Sequence, residues 1–363
     1  REDAMGRRHK NAYIFAPRKT SHPVRTFFLW LLTLVLLGAL TVFILNLATN
    51  SQVEYLTQRI TVETLPNDLE SFSILHLSDL HAAHLGRNGS ALQKVVTKRN
   101  VSCIVLTGDM VGESGDMEPL LQLLDMLPKD VSVYIIAGDS DPSSLNPTAH
   151  DSVSPYADWL EAAVAHGAIY LDEPEAQVRG KSTLWLVPEY LYSLDLDSTE
   201  AAYQAQHDAL SQPDVILSPD QAAQLRVADY QLAKLASIRE KLQTIKNEDI
   251  QVAVSHTPLT RDYVTTMMSW TEKTQTFSFH HVSLILAGHY CGGQWRLPGG
   301  GALYCPAYGW FPEDQLITGL DYLNGIPQYI SPGLGASPYY SYQPGRLFNS
   351  PAMTYLQLTS RIN

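Results

Sequence analysis

Five short polar clusters, each directly behind a hydrophobic run of β-forming residues, constrain this chain more than anything else in it. They are Asp79-Leu80-His81, Gly108-Asp109, Gly138-Asp139-Ser140-Asp141, Ser255-His256 and Gly288-His289-Tyr290-Cys291. Asp79, Asp109 and Asp139 recur every 30 residues, the length of one strand-helix-strand unit. Strand-like runs at 72–77, 103–107 and 131–137 alternate with helical segments at about 89–99 and 116–127. That alternation predicts an α/β fold, with a mainly parallel sheet and helices on both faces. Ligands of such sheets gather at the carboxyl ends of the strands, and each cluster lies at that edge.

The rest of the chain extends the pattern. Residues 49–70 read as a linker, with Ile60-Thr61-Val62 as a first edge strand, and residues 71–363 as the main domain. A helix is expected around 155–166, with strands near 168–171, 183–187, 251–255 and 282–287. Residues 197–247 are rich in Ala, Gln, Leu and Glu and contain no glycine, with Ser218-Pro219-Asp220 as a helix start. They read as an inserted helical hairpin, either a cap beside the polar clusters or a pair packed on the sheet's outer face. The tail from Pro298 to Pro351 is rich in Gly, Pro and Tyr, with short strands around 302–304, 328–331 and 354–358. Loops of that composition tend to border binding sites.

Charge is unevenly distributed. Residues 1–26 carry seven basic and two acidic side chains, so the remainder holds a net −17 of the overall −12. An acidic body repels phosphate backbones, which makes nucleic acid an unsuitable partner. Residues 27–48 form an uncharged, apolar run of 22 residues. As a helix it measures roughly 33 Å, enough to cross a bilayer. The basic segment before it and the acidic residues after it predict a single-pass anchor, with a cytoplasmic tail at 1–26 and an extracytoplasmic body. A cleaved signal sequence and a buried core helix are the alternatives. The run exceeds the usual length of a signal core, and Leu47-Ala48-Thr49-Asn50 is a poor cleavage site.

Hydrolysing a phosphate ester at neutral pH requires an activated water and cations beside the phosphoryl oxygens, which two divalent ions supply together. Asp79, His81, Asp109, Asp139, His256, His289 and Cys291 offer the oxygen, nitrogen and sulfur donors for such a pair. Taken singly, each aspartate reads more readily as a turn former or helix cap, and each histidine as a hydrogen-bonded structural residue. Five clusters in one order at one edge favour the metal reading. Three cysteines make no disulfide framework. Cys103 reads as a buried hydrophobe, whereas Cys291 either ligates a metal or pairs with Cys305.

These motifs resemble the calcineurin-like metallophosphoesterase family, whose pattern runs D-x-H, G-D, G-N-H-[DE], a later His, then G-H-x-H. The tail segments Gly292-Gly293-Gln294, Tyr329–Gly335 and Arg346–Pro351 resemble its membrane-anchored bacterial branch. The likeness covers about residues 58–360 without the insertion. It implies a β-sandwich flanked by helices and two divalent ions (Mn, Zn or Fe). It also implies Asp79, His81 and Asp109 around one ion, and Asp109, Asp139, His256 and His289 around the other, with Asp109 bridging. Three positions depart from the pattern: Asp139 stands for Asn, Ser140 for the catalytic His, and Cys291 for the second His of G-H-x-H. The lost imidazole removes a general acid worth about 10²–10⁴-fold. His84 is a candidate to replace it, its plain alternative being a solvated loop histidine. Asp141 retains the acidic residue that closes the third motif and is expected to orient a ligand.

The expected activity is therefore hydrolysis of a phosphate ester, on a phosphorylated small molecule or a lipid-linked substrate, at the outer face of the cell membrane. The alternative is a catalytically silent relative that binds a phosphorylated ligand, or a protein partner through residues 197–247.

Overall fold

The computed structural model describes residues 22–50, 52–85, 92, 96–149, 152–213, 216–270, 277–312, 316–337 and 345–361. Most of the basic segment at 1–26, and most of the helix expected at 89–99, lie outside those residues. The chain separates into two units, residues 1–47 and 48–363. The described part of the first belongs to α1 (Pro23–Asn50), a helix long and apolar enough to span a membrane, with no part of its apolar window buried.

The second unit is built on two six-stranded mixed sheets. In the first, β2 (Ser73–Leu77), β3 (Cys103–Thr107), β4 (Val133–Ile136) and β5 (Ala168–Tyr170) run parallel. β1 (Glu54–Thr61) and β15 (Ala352–Thr359) complete it, with β15 antiparallel to β2 and parallel to β1. The second sheet holds β6 (Glu175–Arg179), β7 (Ser182–Pro188), β8 (Ile250–Val254), β9 (Val282–Ala287), β13 (Gly319–Leu323) and β14 (Ile326–Ile330) in the order β13-β14-β9-β8-β7-β6. A small antiparallel sheet joins β10 (Trp295–Arg296), β11 (Ala302–Cys305) and β12 (Gly309–Trp310).

Alternation along the strands explains the layering. Ile74, Cys103, Val105 and Leu356 point into one core shared with Leu186, Val252, Leu284 and Tyr329 of the second sheet. Their neighbours Leu75, Ile104, Leu106 and Ile135 pack outward on α2 (Glu118–Met126) and α3 (Asp158–Ala165), through Leu120, Leu123 and Trp159. Trp185, Val187, Ala253 and Ile285 of the second sheet meet Leu196 of α4 (Leu196–Leu210), Leu235 and Ile238 of α5 (Pro219–Thr244) and Met267 of α6 (Arg261–Ser269). The central strands are covered on both faces, so β2, β3 and β8 are buried at every residue. The result is four layers, helix, sheet, sheet, helix, where a single mainly parallel sheet was expected from alternation alone. The sandwich implied by the family likeness is the one present.

The inserted hairpin starts as its sequence predicts. Ser218 and Gln221 form a reciprocal capping box with Pro219 at the first helical position. α5 makes two sets of contacts. Its C-terminal half packs on the outer face of the second sheet. Its N-terminal half reaches the loop regions near the polar clusters, where Asp220 accepts from Ala149 N at 2.7 Å and Tyr230 donates to Asp172 at 2.5 Å. The first strand is longer than the Ile60–Val62 edge predicted, because all eight residues of β1 pair with β15. β6, β13 and α6 were absent from the sequence reading. Thr260, which accepts from Tyr263 N as the cap of α6, was the available signal.

Candidate metal centre

The polar clusters close off the carboxyl ends of β2, β3, β4, β8 and β9, and loop hydrogen bonds extend the strand register beyond the strands. Asp79 N donates to Gly108 O at 3.0 Å, and His81 N to Asp109 O at 2.8 Å. The β3 and β4 loops approach so closely that only glycine fits. A Cβ on Gly108 would lie 2.6 Å from Gly138 N, and one on Gly138 would collide with Asp109 Oδ1.

This packing brings all seven predicted donors into two adjacent groups. Asp109, Asp139, His256 and His289 form one, and Asp79, His81 and Cys291 the other, with the donor atoms of each group within 4.8 Å of one another. Asp109 links them, because its Oδ2 lies 3.5 Å from His81 Nε2 and 3.4 Å from His256 Nε2. Its other oxygen, Oδ1, accepts from Ser140 N at 2.9 Å, which holds Oδ2 toward the two imidazoles. His256 Nδ1 donates to Thr107 O at 2.7 Å, directing Nε2 at Asp139 Oδ1, 2.9 Å away. A ligating histidine is commonly oriented by such a carbonyl. His289 Nδ1 stands 3.4 Å from the same Asp139 oxygen, and Cys291 Sγ lies 3.4 Å from His81 Nε2.

Two observations show that this donor set suits cations. Asp79 is fully buried, yet its Oδ1 has no hydrogen-bond partner. A carboxylate oxygen left so carries a large desolvation cost unless a positive charge faces it. Five of the seven donors, Asp79, His81, Asp109, His289 and Cys291, also adopt positive φ, between 45° and 75°. Each such residue costs on the order of 1 kcal/mol, and such strain concentrates at functional sites.

Electrostatics follow from the crowding. Burial raises the Asp79 carboxyl above its ordinary range. For Asp109, burial acts upward but is outweighed by the His256 hydrogen bond and the His256 and His81 charges, so the group ends low. Hydrogen bonds from His256, then His289, hold Asp139 far below the usual carboxylate range. Burial alone would lower His256, but its bonds to Asp109 and Asp139 raise it well above an ordinary histidine. Burial, then the Asp79 charge, drive the Cys291 thiol upward. All three cysteines are unpaired, so Cys291 faces His81 and forms no bridge to Cys305.

Two further sequence-predicted residues, Asp141 and His84, lie outside the two donor groups. Asp141 accepts four backbone hydrogens, from Met110, Val111, Gly112 and Gly138, at 2.8 to 3.2 Å. Its carboxylate holds the β3 and β4 loops together and so positions Asp109. His84 is exposed and lines a depression with Leu85, Pro119, Gln122, Asp125 and Met126, away from the donors. None of the seven donors lines that depression.

Sequence reasoning missed two others. Arg346, buried, donates to the carbonyls of Asn349, Gly335, Pro332 and Ser350, and Asn349 in turn donates to Cys291 O at 2.8 Å. This clamp sets the loop behind Asp79 and Cys291. Glu189 follows β7 and lines two cavities that both reach His256. Burial raises its carboxyl against the bond it accepts from Tyr263. A cavity of about 830 Å³ lies at the opposite end of the strands, beside Asp249, His280 and Tyr322, and touches none of the donors.

A two-sheet domain with a shared carboxylate between two donor groups defines a metal-dependent hydrolase fold. Residues 72–292 match the family described as calcineurin-like phosphoesterase, and the chain belongs to that family. A crystal structure of phosphopantetheinyl hydrolase from Mycobacterium tuberculosis is 14% identical, over 80% of this chain and 96% of that one, with a TM-score of 0.38. No curated protein sequence matched.

Proposed function

We propose that this protein is a membrane-anchored phosphoesterase of the bacterial membrane-anchored branch. It hydrolyses a phosphate ester at the extracytoplasmic face through a two-ion centre. The observation that carries this reading is Asp109 Oδ2, held 3.5 Å from His81 and 3.4 Å from His256, where one carboxylate joins both donor groups.

Asp79, His81, Cys291 and Asp109 would hold one divalent ion, and Asp109, Asp139, His256 and His289 the other. Bound there, the ions would supply an acidified water and neutralise the phosphoryl oxygens. Cys291 contributes a sulfur donor, which favours zinc or iron over manganese. Thr107 O keeps the His256 ring in the orientation that presents Nε2, and Asp141 keeps the Asp109 loop in register. Ser140 gives its backbone N–H to Asp109 and carries no acid, so the leaving oxygen takes its proton from water or from a carboxyl at this rim, with Glu189 the candidate in place. The silent-binder reading rests on the Ser140 and Cys291 substitutions; the donor set fits both readings, and hydrolysis separates them.

The test uses the full chain in detergent. Metal analysis should return close to two equivalents per chain, and a value near zero would overturn the proposal. With added Mn²⁺ or Zn²⁺ a generic aryl phosphodiester should be hydrolysed, and Asp109→Asn should lower the rate by at least about 10²-fold. Hydrolysis unaffected by that substitution would reveal a contaminant.

A further inference from the structure

The small sheet β10-β11-β12 carries an aromatic face that the chemistry above does not use. Trp310 is 55% exposed, Phe311 65%, Leu297 50% and Tyr308 42%. The Trp310 ring packs 5.5 Å from Trp295 and 5.2 Å from Tyr304, so the face is preformed. From Tyr290 to Pro312 the chain contains no acidic residue and one basic residue, Arg296, although its net charge is −12. Arg296 is committed to the carbonyls of Gly292 and Gly300. Glu313 and Asp314 follow directly in sequence, but none of the four exposed side chains is charged, and such an apolar patch on a strongly acidic protein suits a lipid surface.

Two attachments fix where this face lies within the body. Tyr308 bonds through its hydroxyl to that of Tyr290 at 2.5 Å, and Tyr290 stands between the donors His289 and Cys291. On the other side, Arg296 N donates to Leu347 O at 2.9 Å, and Asn50 Nδ2 donates to the adjacent Arg346 O at 2.6 Å. Asn50 is only three residues beyond Leu47, where the apolar unit ends. The first residues of the body are therefore tied to the same loop on which the aromatic sheet rests.

We propose that the face formed by Leu297, Tyr308, Trp310 and Phe311 docks on the bilayer at which α1 ends. The docked sheet would hold the donor cluster beside the lipid surface, so that the substrate is a phosphate ester carried by a membrane lipid. Tryptophan and tyrosine are the residues enriched at that interface, since their rings take an apolar body and a polar edge. The proposal deepens the function given above and rests on its reading of α1 as a retained anchor.

Site-directed spin labelling tests it on the full chain reconstituted in phosphatidylcholine–phosphatidylglycerol vesicles. The three native cysteines are buried, so a nitroxide can be placed at Ala307→Cys beside the face, or at Val178→Cys on exposed β6 as a reference. The label at 307 should collide with dissolved oxygen and be shielded several-fold from an aqueous chromium oxalate relaxant, relative to 178. Adding Trp310→Ala and Phe311→Ala should return it to water. Equal aqueous access at 307 and 178 in the parent chain would overturn the proposal, whether or not the protein hydrolyses anything. For an active enzyme, the same double substitution should lower the ratio of lipid-ester to water-soluble diester hydrolysis by about tenfold. An unchanged ratio would also overturn it.

Discussion

His76 shows how one residue can belong to the site's scaffold and not to its chemistry. It lies fully buried on β2, three residues before Asp79, bonded to Thr107 Oγ1 at 2.8 Å and edge-on to Tyr329. Burial pushes its pKa down to about 3. An unfolded chain binds this proton near pH 6.5 and the folded chain does not, so stability falls as pH drops from about 6.5 toward 3 and is unaffected above that window. His76→Gln should flatten that acid limb by up to about 4 kcal/mol, read as the difference between the two urea-unfolding profiles against pH. Parallel profiles would show that His76 titrates normally. Cys291 makes a second residue-scale prediction. Replacing it with Ser should weaken zinc retention by at least about tenfold while leaving manganese binding much less affected, measured by competitive chelation. Equal loss of both ions would remove the thiol from the donor set.

Among the elements, α5 has the most to reveal. Asp172 and Lys234 meet at 3.5 Å with side chains only 10% and 11% exposed, and Tyr230 donates to the same carboxylate oxygen. Burial pushes Asp172 up and Lys234 down, while the attraction between the two charges acts against burial at each. Lys234→Met should therefore cost about 3 kcal/mol by stranding the carboxylate, and Asp172→Asn in the same chain should recover much of it. Chemical denaturation midpoints of the four proteins would measure this, and additive losses would mean the pair is not coupled. The cap is a lighter contact. Ser218→Ala should cost about 1 kcal/mol, visible as a lowered Tm, because one oxygen satisfies the Gln221 N–H at the helix start. α5 also shows how much of an element sequence conveys. Its start was legible in Ser218-Pro219-Asp220, because capping is local chemistry. Its partners across 58 residues of chain, Asp172 among them, were not.

For the molecule as a whole, the fate of α1 decides where the chemistry takes place. If the apolar segment is a retained anchor, the mature chain keeps residues before 49 and stays with the membrane pellet after an alkaline wash. Intact mass and fractionation would show this, and a shortened, released chain would mean a cleaved leader. The sequence by itself determined the central strands, the polar residues at their ends and the apolar segment. Hydrophobic runs, glycine-aspartate turns and uncharged stretches are local signals that survive in one dimension. Only the tertiary structure decided that the strands divide between two sheets, and that β15 enters between β1 and β2. It also turned Asp141 toward backbone hydrogens, left His84 on an outer depression and joined the aromatic sheet to the donor loop. The physical reason is that pairing, register and side-chain direction depend on contacts between residues far apart in sequence. Their energies appear only once burial has brought those residues together.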